Sequence, residues 1–465
     1  MKLIKKSMKD KTAVRWGILL LVAFVQAANY YFYDTISPLK QTLEVEFGFD
    51  SSDFGLFVSM YSFPNTFLLM AIFGGIILDK IGIRRTGLTF VGLMTAGGVV
   101  TAYGASTFYT NGGPFYELMG SFLTNYSPEL KMMLLGRFLF GLGAETSIVV
   151  ISKTIVKWFK GKELALAFGT KIGIARLGSS AAFFFTYDIS ERASHWTIAI
   201  WFSVLLLCIG LLAFFVYTFF DRKLDKQIEQ TQLRTAKDEF KISDLWELLT
   251  NRSFIFVTLI CLTFYSAVFP FQSFSADFFL NKFGEIDQSL SGKIAAILSV
   301  GTFTFTPIIG FLVDRYGKSA SLMIYGSVLL VVIYLTFAFT MLHPSIPMLF
   351  LGIAFSLVPA AMWPSVAKIV EERKIGTAYG TMFTIQNLGL WAVPLLIGIV
   401  LDSTNPNISP EALRAGETYD YTWVILMLAS LGILGVIFAV LLKREDKISG
   451  YGLELPSRIK GKNTK

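Results

Sequence analysis

Two residues of opposite charge sit where a charge is hardest to keep. Glu145 lies in Gly136-Arg137-Phe-Leu-Phe-Gly141-Leu-Gly143-Ala-Glu145, and Arg176 in Phe168-Gly169-Thr-Lys-Ile-Gly173-Ile-Ala-Arg176-Leu-Gly178. Each falls about halfway along an apolar stretch long enough to cross a bilayer, where an ionised side chain costs roughly 2.5–3.5 kcal/mol even on the mildest insertion scale. If the two stretches are neighbouring antiparallel helices, the midpoints share a depth and can meet each other or a common ligand. One reading is a structural ion pair that orients the two helices. The other is a zwitterion site, with the planar guanidinium gripping a carboxylate and Glu145 taking an ammonium group. Gly141, Gly143, Gly169, Gly173 and Gly178 leave room for backbone or substrate to come close.

Other polar and aromatic residues inside apolar runs extend this set. Gln386 and Asn387 fall near the middle of one run, where amides facing lipid would be unsatisfied, so they are expected to face a cavity. Tyr265 and Phe269 lie around an expected break in the seventh run, just before Pro270, and Trp363 precedes Pro364. These are substrate-wall candidates, although a buried aromatic in a span serves packing more often. Lys171 is about 140° around the helix from Arg176, so it reads as snorkelling inward or as a cavity-edge charge. Asp34, near the end of the first run, reads as a cap or an outer gate. The two histidines, His195 and His343, fall at outer loop edges, which leaves none for a mid-membrane proton relay. No metal-ligand spacing, nucleotide loop or catalytic triad is present, so no cofactor or enzymatic activity is expected.

The elements that must position these residues follow from composition. Of 465 residues 54% are hydrophobic and 16% charged, with a mean hydropathy of +0.59. Aqueous folding of such a chain is implausible, and a bilayer supplies the solvent it needs. The net charge of +8 is spread in short clusters between apolar runs, which excludes a nucleic-acid-binding face. Cys208 and Cys261 both fall in apolar segments and read as small buried hydrophobes. Sequons at Asn125, Asn251 and Asn407 carry little weight.

Runs of about 20 apolar residues, the length of a span, occur near 13–35, 53–78, 86–108, 132–154, 163–187 and 195–220. They resume near 252–279, 289–313, 319–342, 345–369, 376–401 and 421–443. This predicts an all-α membrane protein with twelve transmembrane helices and both termini cytoplasmic. The topology places about 32 of the basic residues in cytoplasmic segments and about 7 outside, among them Lys40, Lys131 and Arg137. The first run reads as a retained span, since no small-residue cleavage site follows it. Expected domains are 1–220, a cytoplasmic linker over 221–250, 251–443, and a basic cytoplasmic tail over 444–465. The outer stretch 109–131 is too long for a simple turn, and its aromatics suit an interface.

An internal repeat carries further chemistry. Gly75-Ile-Ile-Leu-Asp79-Lys-Ile-Gly82-Ile-Arg84-Arg85 follows the second run, and Gly310-Phe-Leu-Val-Asp314-Arg-Tyr-Gly317-Lys318 follows the eighth. Gly75 is expected to let two helices approach, Gly82 to allow a tight turn, and Asp79 to accept from a facing helix N-terminus. A charge contact made in one conformation only biases alternating access, which makes these residues gating candidates; a loop that merely caps helices is the other reading. The duplicated pattern resembles the signature loop of the major facilitator superfamily. That resemblance implies two pseudo-symmetric six-helix bundles rocking about a central cavity.

Several stretches narrow the likeness: Tyr31-Phe-Tyr-Asp34, Tyr61-Ser-Phe-Pro64-Asn65, Trp158-Phe-Lys-Gly-Lys162-Glu163, Ala175-Arg176-Leu-Gly-Ser, Trp363-Pro364 and Ile385-Gln-Asn-Leu-Gly389. They resemble the lysosomal dipeptide transporters of animals. The resemblance implies facilitated diffusion of dipeptides, with Glu145 and Arg176 in the positions of that family's substrate contacts. It does not carry over the lysosomal address, since no acidic dileucine precedes the first run, nor the family's accessory subunit. The short loops suit a prokaryotic cytoplasmic membrane. Two rivals remain: an organic-anion or monocarboxylate exchanger (or proton-coupled symporter) of the same superfamily, and a non-transporting sensor with a transporter fold. The expected partners are a small zwitterion and the lipid bilayer, with no nucleic acid.

Overall fold

The computed structural model describes residues 8–159, 162–228, 242–371 and 374–456. In chain order the helices are α1 (Thr12–Thr35), α2 (Lys40–Phe47), α3 (Ser51–Met60), α4 (Phe63–Phe67), α5 (Met70–Ile81), α6 (Ile83–Gly104), α7 (Thr107–Thr110), α8 (Tyr116–Gly120) and α9 (Pro128–Phe159). They continue with α10 (Leu164–Arg192), α11 (Ile198–Ile228), α12 (Ile242–Thr250), α13 (Arg252–Lys282), α14 (Gln288–Tyr316), α15 (Ser319–Phe339), α16 (Ser345–Ile369), α17 (Ile375–Thr404), α18 (Pro410–Arg414) and α19 (Thr422–Ser449). Among the described residues ten helical segments are long and apolar enough to cross a membrane. The expected spans outside that set are the second and the fifth. The fifth, α10, is long enough, but Lys171 and Arg176 interrupt its apolar run.

The second expected span, 53–78, is broken into α3, α4 and α5. Pro64 sits in the first turn of α4, where its missing N–H has no helical partner to lose. Leu69 holds the left-handed conformation at φ 52° just before α5. The break expected in span seven does not occur: α13 runs without interruption through Pro270. A proline is tolerated there because neighbouring helices re-satisfy the freed backbone groups. Cys261 is buried as expected, whereas Cys208 is exposed on α11, on a face rich in exposed Leu and Phe.

The chain forms two compact units. One holds the chain up to Leu39 and resumes at Met60; the other holds Lys40–Ser59 and the chain from α12 onward. Residues 229–241 of the expected linker lie outside the described residues. The pairing of helices repeats between the units. In the first, α6 packs on α9 and α11, and α1 on α10 and α11. In the second, α15 packs on α16 and α19, and α13 on α17 and α19. Third with fourth and sixth, first with fifth and sixth: the sequence repeat of the two loops is matched by a repeat of the packing. Segment 40–59 joins the second unit through close backbone approaches, Gly55 against Pro394 and Gly398 against Ser51, and through Asp402, which accepts from the Ser51 and Ser52 amides at 3.1 and 2.8 Å.

The region expected as a basic tail is partly structural. Beyond α19, Gly450 and Gly452 adopt positive φ and turn the chain back, and Leu453 is fully buried. The Leu453 and Glu454 carbonyls accept from the Ser319 and Lys318 amides, both at 3.0 Å. The Glu454 carboxylate accepts from the Ser321 amide and hydroxyl, both at 2.8 Å. Lys318 at the α15 N-cap is itself left-handed and offers no side-chain cap, so Glu454 supplies the anion that a helix N-terminus favours from 133 residues away. Residues 457–465 lie outside the described residues. Glu454→Ala is therefore expected to cost about 1 kcal/mol, the usual value of an N-cap contact, and to lower the melting temperature. A melt indistinguishable from the parent protein would count against the capping role.

Candidate functional site

Two small residues set the geometry around the midpoint charges. A Cβ at Gly178 would meet the Ala27 backbone, and one at Gly141 the Tyr61 backbone. Helix α1 therefore lies directly on α10, and the α3–α4 turn on α9. Tyr30, one turn beyond Ala27 on the same helix face, comes over Arg176, with the guanidinium carbon 5.5 Å from the ring centroid. That is within cation–π range. The Tyr30 phenol experiences the charges of Arg176, Glu145 and Asp34 together. The Tyr61 hydroxyl and the Asn65 amide are the polar side chains that act on the Glu145 carboxylate. Glu145 and Arg176 thus both act electrostatically on Tyr30, and all three are half-buried residues of one unit.

Asp34, expected as a cap or gate, is buried and accepts from the Ser179 hydroxyl, with the Arg176 and Arg137 charges acting on it. Arg137, counted among outer-side cations, is instead 1% exposed. Its Nη2 donates to the Tyr33 carbonyl at 3.0 Å, and its guanidinium carbon lies 4.7 Å from the Tyr33 ring and 5.6 Å from the Tyr61 ring. The aromatic faces and Asp34 explain why this arginine sits inside. Lys171 is buried too, its ammonium donating to Ser152 on α9 at 3.3 Å. Tyr61 and Asn65 belong to a stretch that carries the family likeness, yet neither they nor Tyr30 reads as a site residue from the sequence; the available signal is an amide placed directly after Pro64 in an apolar run.

The second unit gathers its own candidates. Trp363 donates through Nε1 to the Tyr265 hydroxyl at 3.0 Å and stacks on Phe383 at 4.8 Å. The Tyr379 hydroxyl donates to the Trp363 carbonyl at 3.1 Å. Tyr265 stacks on Phe269 at 5.6 Å, and Phe355 lies edge-on to both. Gln386 and Asn387 are buried: Gln386 accepts from Cys261 at 3.4 Å, and Asn387 donates to the Phe383 carbonyl at 2.9 Å. Tyr265, Trp363 and Phe269 form one neutral aromatic wall with a polar seam. The two amides are held by their own neighbours.

The repeated loops differ in detail from expectation. Asp79 pairs with Lys153 of α9, and both are substantially exposed. Gly75 has open space where a Cβ would be; the close approach belongs to Gly74, which sits against Thr146. Gly82 does make the tight turn, with φ at 85°. Arg85 is exposed, while Arg84 joins a denser network. Arg84 and Lys157 both bridge Asp221 (3.2 and 2.7 Å) and Asp225 (2.6 Å each), and the Tyr217 hydroxyl donates to Asp221 at 2.8 Å. In the second loop Gly310 is open and Asp314 exposed. Gly317, at φ 70°, lies against the Leu455–Pro456 backbone, so the returning tail fills that turn.

The buried anchor of the first loop is therefore Asp221, not Asp79. Asp221→Asn strips two cations of a buried partner and is expected to cost about 2–3 kcal/mol. Asp79→Asn removes a solvated pair worth about 0–1 kcal/mol. Thermal melts of the two variants in one detergent check the order, and a larger loss for Asp79→Asn would refute it.

Comparison with known proteins extends these observations. A family model described as Major Facilitator Superfamily matches residues 19–394 and 273–455. The chain is 32% identical over 406 residues to the lysosomal dipeptide transporter MFSD1 of Mus musculus, covering 85% of this chain and 82% of that protein. The alpha-ketoglutarate permease of Escherichia coli (strain K12) is 26% identical over 57% of this chain and 58% of its own length. Among solved structures, a D-xylose-proton symporter aligns with a TM-score of 0.67 at 14% identity, over 92% of this chain and 97% of that one. The POT family transporter PepTSo aligns with a TM-score of 0.67 at 13% identity, over 93% and 98%. These structures speak for the fold alone. With a family model across both units, and a relative above 30% identity along most of its length, this chain belongs to the Major Facilitator Superfamily and is a multi-pass membrane transporter.

Proposed function

We propose that the protein carries dipeptides or similar small zwitterions by alternating access, as a uniporter, in a prokaryotic cytoplasmic membrane. The observation that supports this most is the arrangement at Tyr30, which lies under the guanidinium of Arg176 and within the field of the Glu145 carboxylate. Arg176 suits a substrate carboxylate, Glu145 an ammonium group, and Tyr30 the peptide between them. The animal relatives, named for dipeptide transport, agree with that chemistry. In the second unit, the aromatic wall of Tyr265, Phe269 and Trp363 offers apolar contact that varied side chains can share. Gln386 and Asn387 are carried on α17, which packs on α13, and the loops at Asp79 and Asp314, with Gly75, Gly82, Arg84, Arg85, Gly310 and Gly317, act in gating.

Counterflow in liposomes with a dipeptide panel tests the reading. Arg176→Ala and Glu145→Gln should each lower flux at sub-saturating dipeptide roughly 10- to 100-fold, from the ~1.5–3 kcal/mol of a charge-assisted contact. Equal flux in parent and Arg176→Ala would sink the site. The likeness to a dicarboxylate permease favours a second reading, in which Arg176 alone holds an organic anion. In that case Glu145→Gln spares simple carboxylates. As a uniporter, the protein should equilibrate substrate without accumulating it when a pH gradient is imposed.

The aromatic wall makes a separate prediction. Trp363→Phe keeps the ring but removes the donor to Tyr265, and should raise the half-saturating dipeptide concentration a few-fold at unchanged maximal flux. The cost of one neutral hydrogen bond, about 1 kcal/mol, sets that size. A change in maximal flux alone would assign Trp363 to the conformational step instead.

A further inference from the structure

The second unit buries a cluster whose charges do not balance. Lys40 at the start of α2 bridges Glu44 at 2.6 Å and Asp277 of α13 at 2.9 Å, and all three side chains are at most 2% exposed. Its ammonium also lies 4.6 Å from the Tyr419 ring centroid. Glu44 Oε1 accepts further from the Ser51 hydroxyl at 3.2 Å and the Tyr419 hydroxyl at 3.3 Å. Asp277 Oδ2 accepts from the Tyr421 hydroxyl. With every group ionised, one cation faces two anions that share a single ammonium. Like charges so close, away from water, disfavour double ionisation.

The other oxygens make the imbalance explicit. Glu44 Oε2 and Asp277 Oδ1 are buried without a hydrogen-bond partner. A bare ionised carboxylate oxygen is costly in such surroundings, whereas a carboxylic acid is neutral and brings its own donor. The charged groups on the adjoining elements do not mend this. Arg414 of α18 donates to the Val45 carbonyl at 2.6 Å, and Lys282 of α13 donates to the Phe337 and Ala338 carbonyls. Asp402 of α17 caps the start of α3, and Asp50, Asp53 and Asp420 only add negative charge. A sodium ion is disfavoured because the Lys40 ammonium already occupies the point the two carboxylates share.

A cavity adjoins this cluster. Its volume is about 190 Å³, it is lined by Asn281, Lys282, Asp420, Tyr419 and Tyr421, and the last two carry the hydroxyls bonded to Glu44 and Asp277. It is large enough for several water molecules. We propose that Glu44 and Asp277 share one exchangeable proton, which makes this end of the second unit a proton-binding site served by the Tyr419–Tyr421 cavity. The proton comes from water on the cavity side and returns there when Lys40 and Asp277 part and both carboxylates become hydrated. The packed arrangement of α2 on α13 therefore holds one proton more than the separated one, and acid on that side favours it.

The proposal needs no substrate and stands apart from the dipeptide reading, so its test is spectroscopic. Infrared difference spectra of the full-length protein in lipid nanodiscs, titrated from mildly acid to alkaline pH, follow the C=O stretch of protonated carboxyl groups. The parent protein should lose one such band that both Glu44→Gln and Asp277→Asn lack, because either change leaves a balanced lysine–carboxylate pair. Tyr421→Phe keeps every charge, and should shift the band rather than abolish it. Should either acid variant fail to elute as a single species, the remaining one and Tyr421→Phe still decide. A band that persists in the acid variants and ignores Tyr421→Phe belongs to another carboxyl, such as Asp34 or Glu145, and overturns the proposal. Absence of the band, with sodium chloride raising the melting temperature over choline chloride in the parent alone, would assign a metal cation to the site and overturn it equally.

Discussion

A charge in apolar surroundings must be compensated on the spot, and much of the polar structure of this protein follows from that one cost. Hydrocarbon offers no counterion and no hydration, so each ionised side chain needs a ring face, a carbonyl or an opposite charge within reach. Arg137 meets the constraint with two tyrosine rings, a carbonyl and the nearby Asp34. Lys40 meets it with two carboxylates and the Tyr419 ring. Arg176 meets it in part with the Tyr30 ring. Where water returns, the same types of group form looser contacts, as Asp79 and Lys153 do.

Close compensation requires close backbones, and that is the work of the small residues. Ridges of bulky side chains would hold α1 off α10, and Tyr30 would not reach the guanidinium; Gly178 against Ala27 removes that obstacle. Gly141 does the same for the turn that carries Tyr61 toward Glu145. In membranes, where no hydrophobic drive pulls helices together, such contacts contribute dispersion and shape complementarity at once. The glycine spacing in the runs around Glu145 and Arg176 is thus part of the site, although most of those glycines face a neighbouring helix rather than a ligand.

Depth was the part of the site that the sequence made legible. An ionisable residue in the middle of an apolar run is visible by counting, so Glu145 and Arg176 stand out before any coordinate is known. Direction was not legible. Whether Gly74 or Gly75 faces α9 turns on 100° of helix rotation, which a broken span leaves undetermined. Lys40 and Arg137 read as outer-loop cations because they sit at the ends of runs, yet both are buried. Their partners are remote or aromatic: Asp277 is 237 residues from Lys40. The fold was legible through periodic apolar runs and a duplicated loop, while the returning tail was not, since residues 450–456 carry no helical period and are held by Glu454 and buried Leu453.

The two charged sites answer the same constraint in different ways, and the difference bears on transport. On the proposed reading, the groups around Tyr30 are completed by a zwitterion, which brings one charge of each sign and leaves with both. The net charge of that site is then unchanged by binding, so no ion need accompany the substrate. The Lys40 cluster has an uneven count, and only something carrying a single positive charge evens it. A neutral exchange at one place and a charged one at the other lets substrate move without obligatory coupling while the conformational balance still answers to pH. A proton that enters and leaves on the same side does no transport work; it changes only how long the helices stay together.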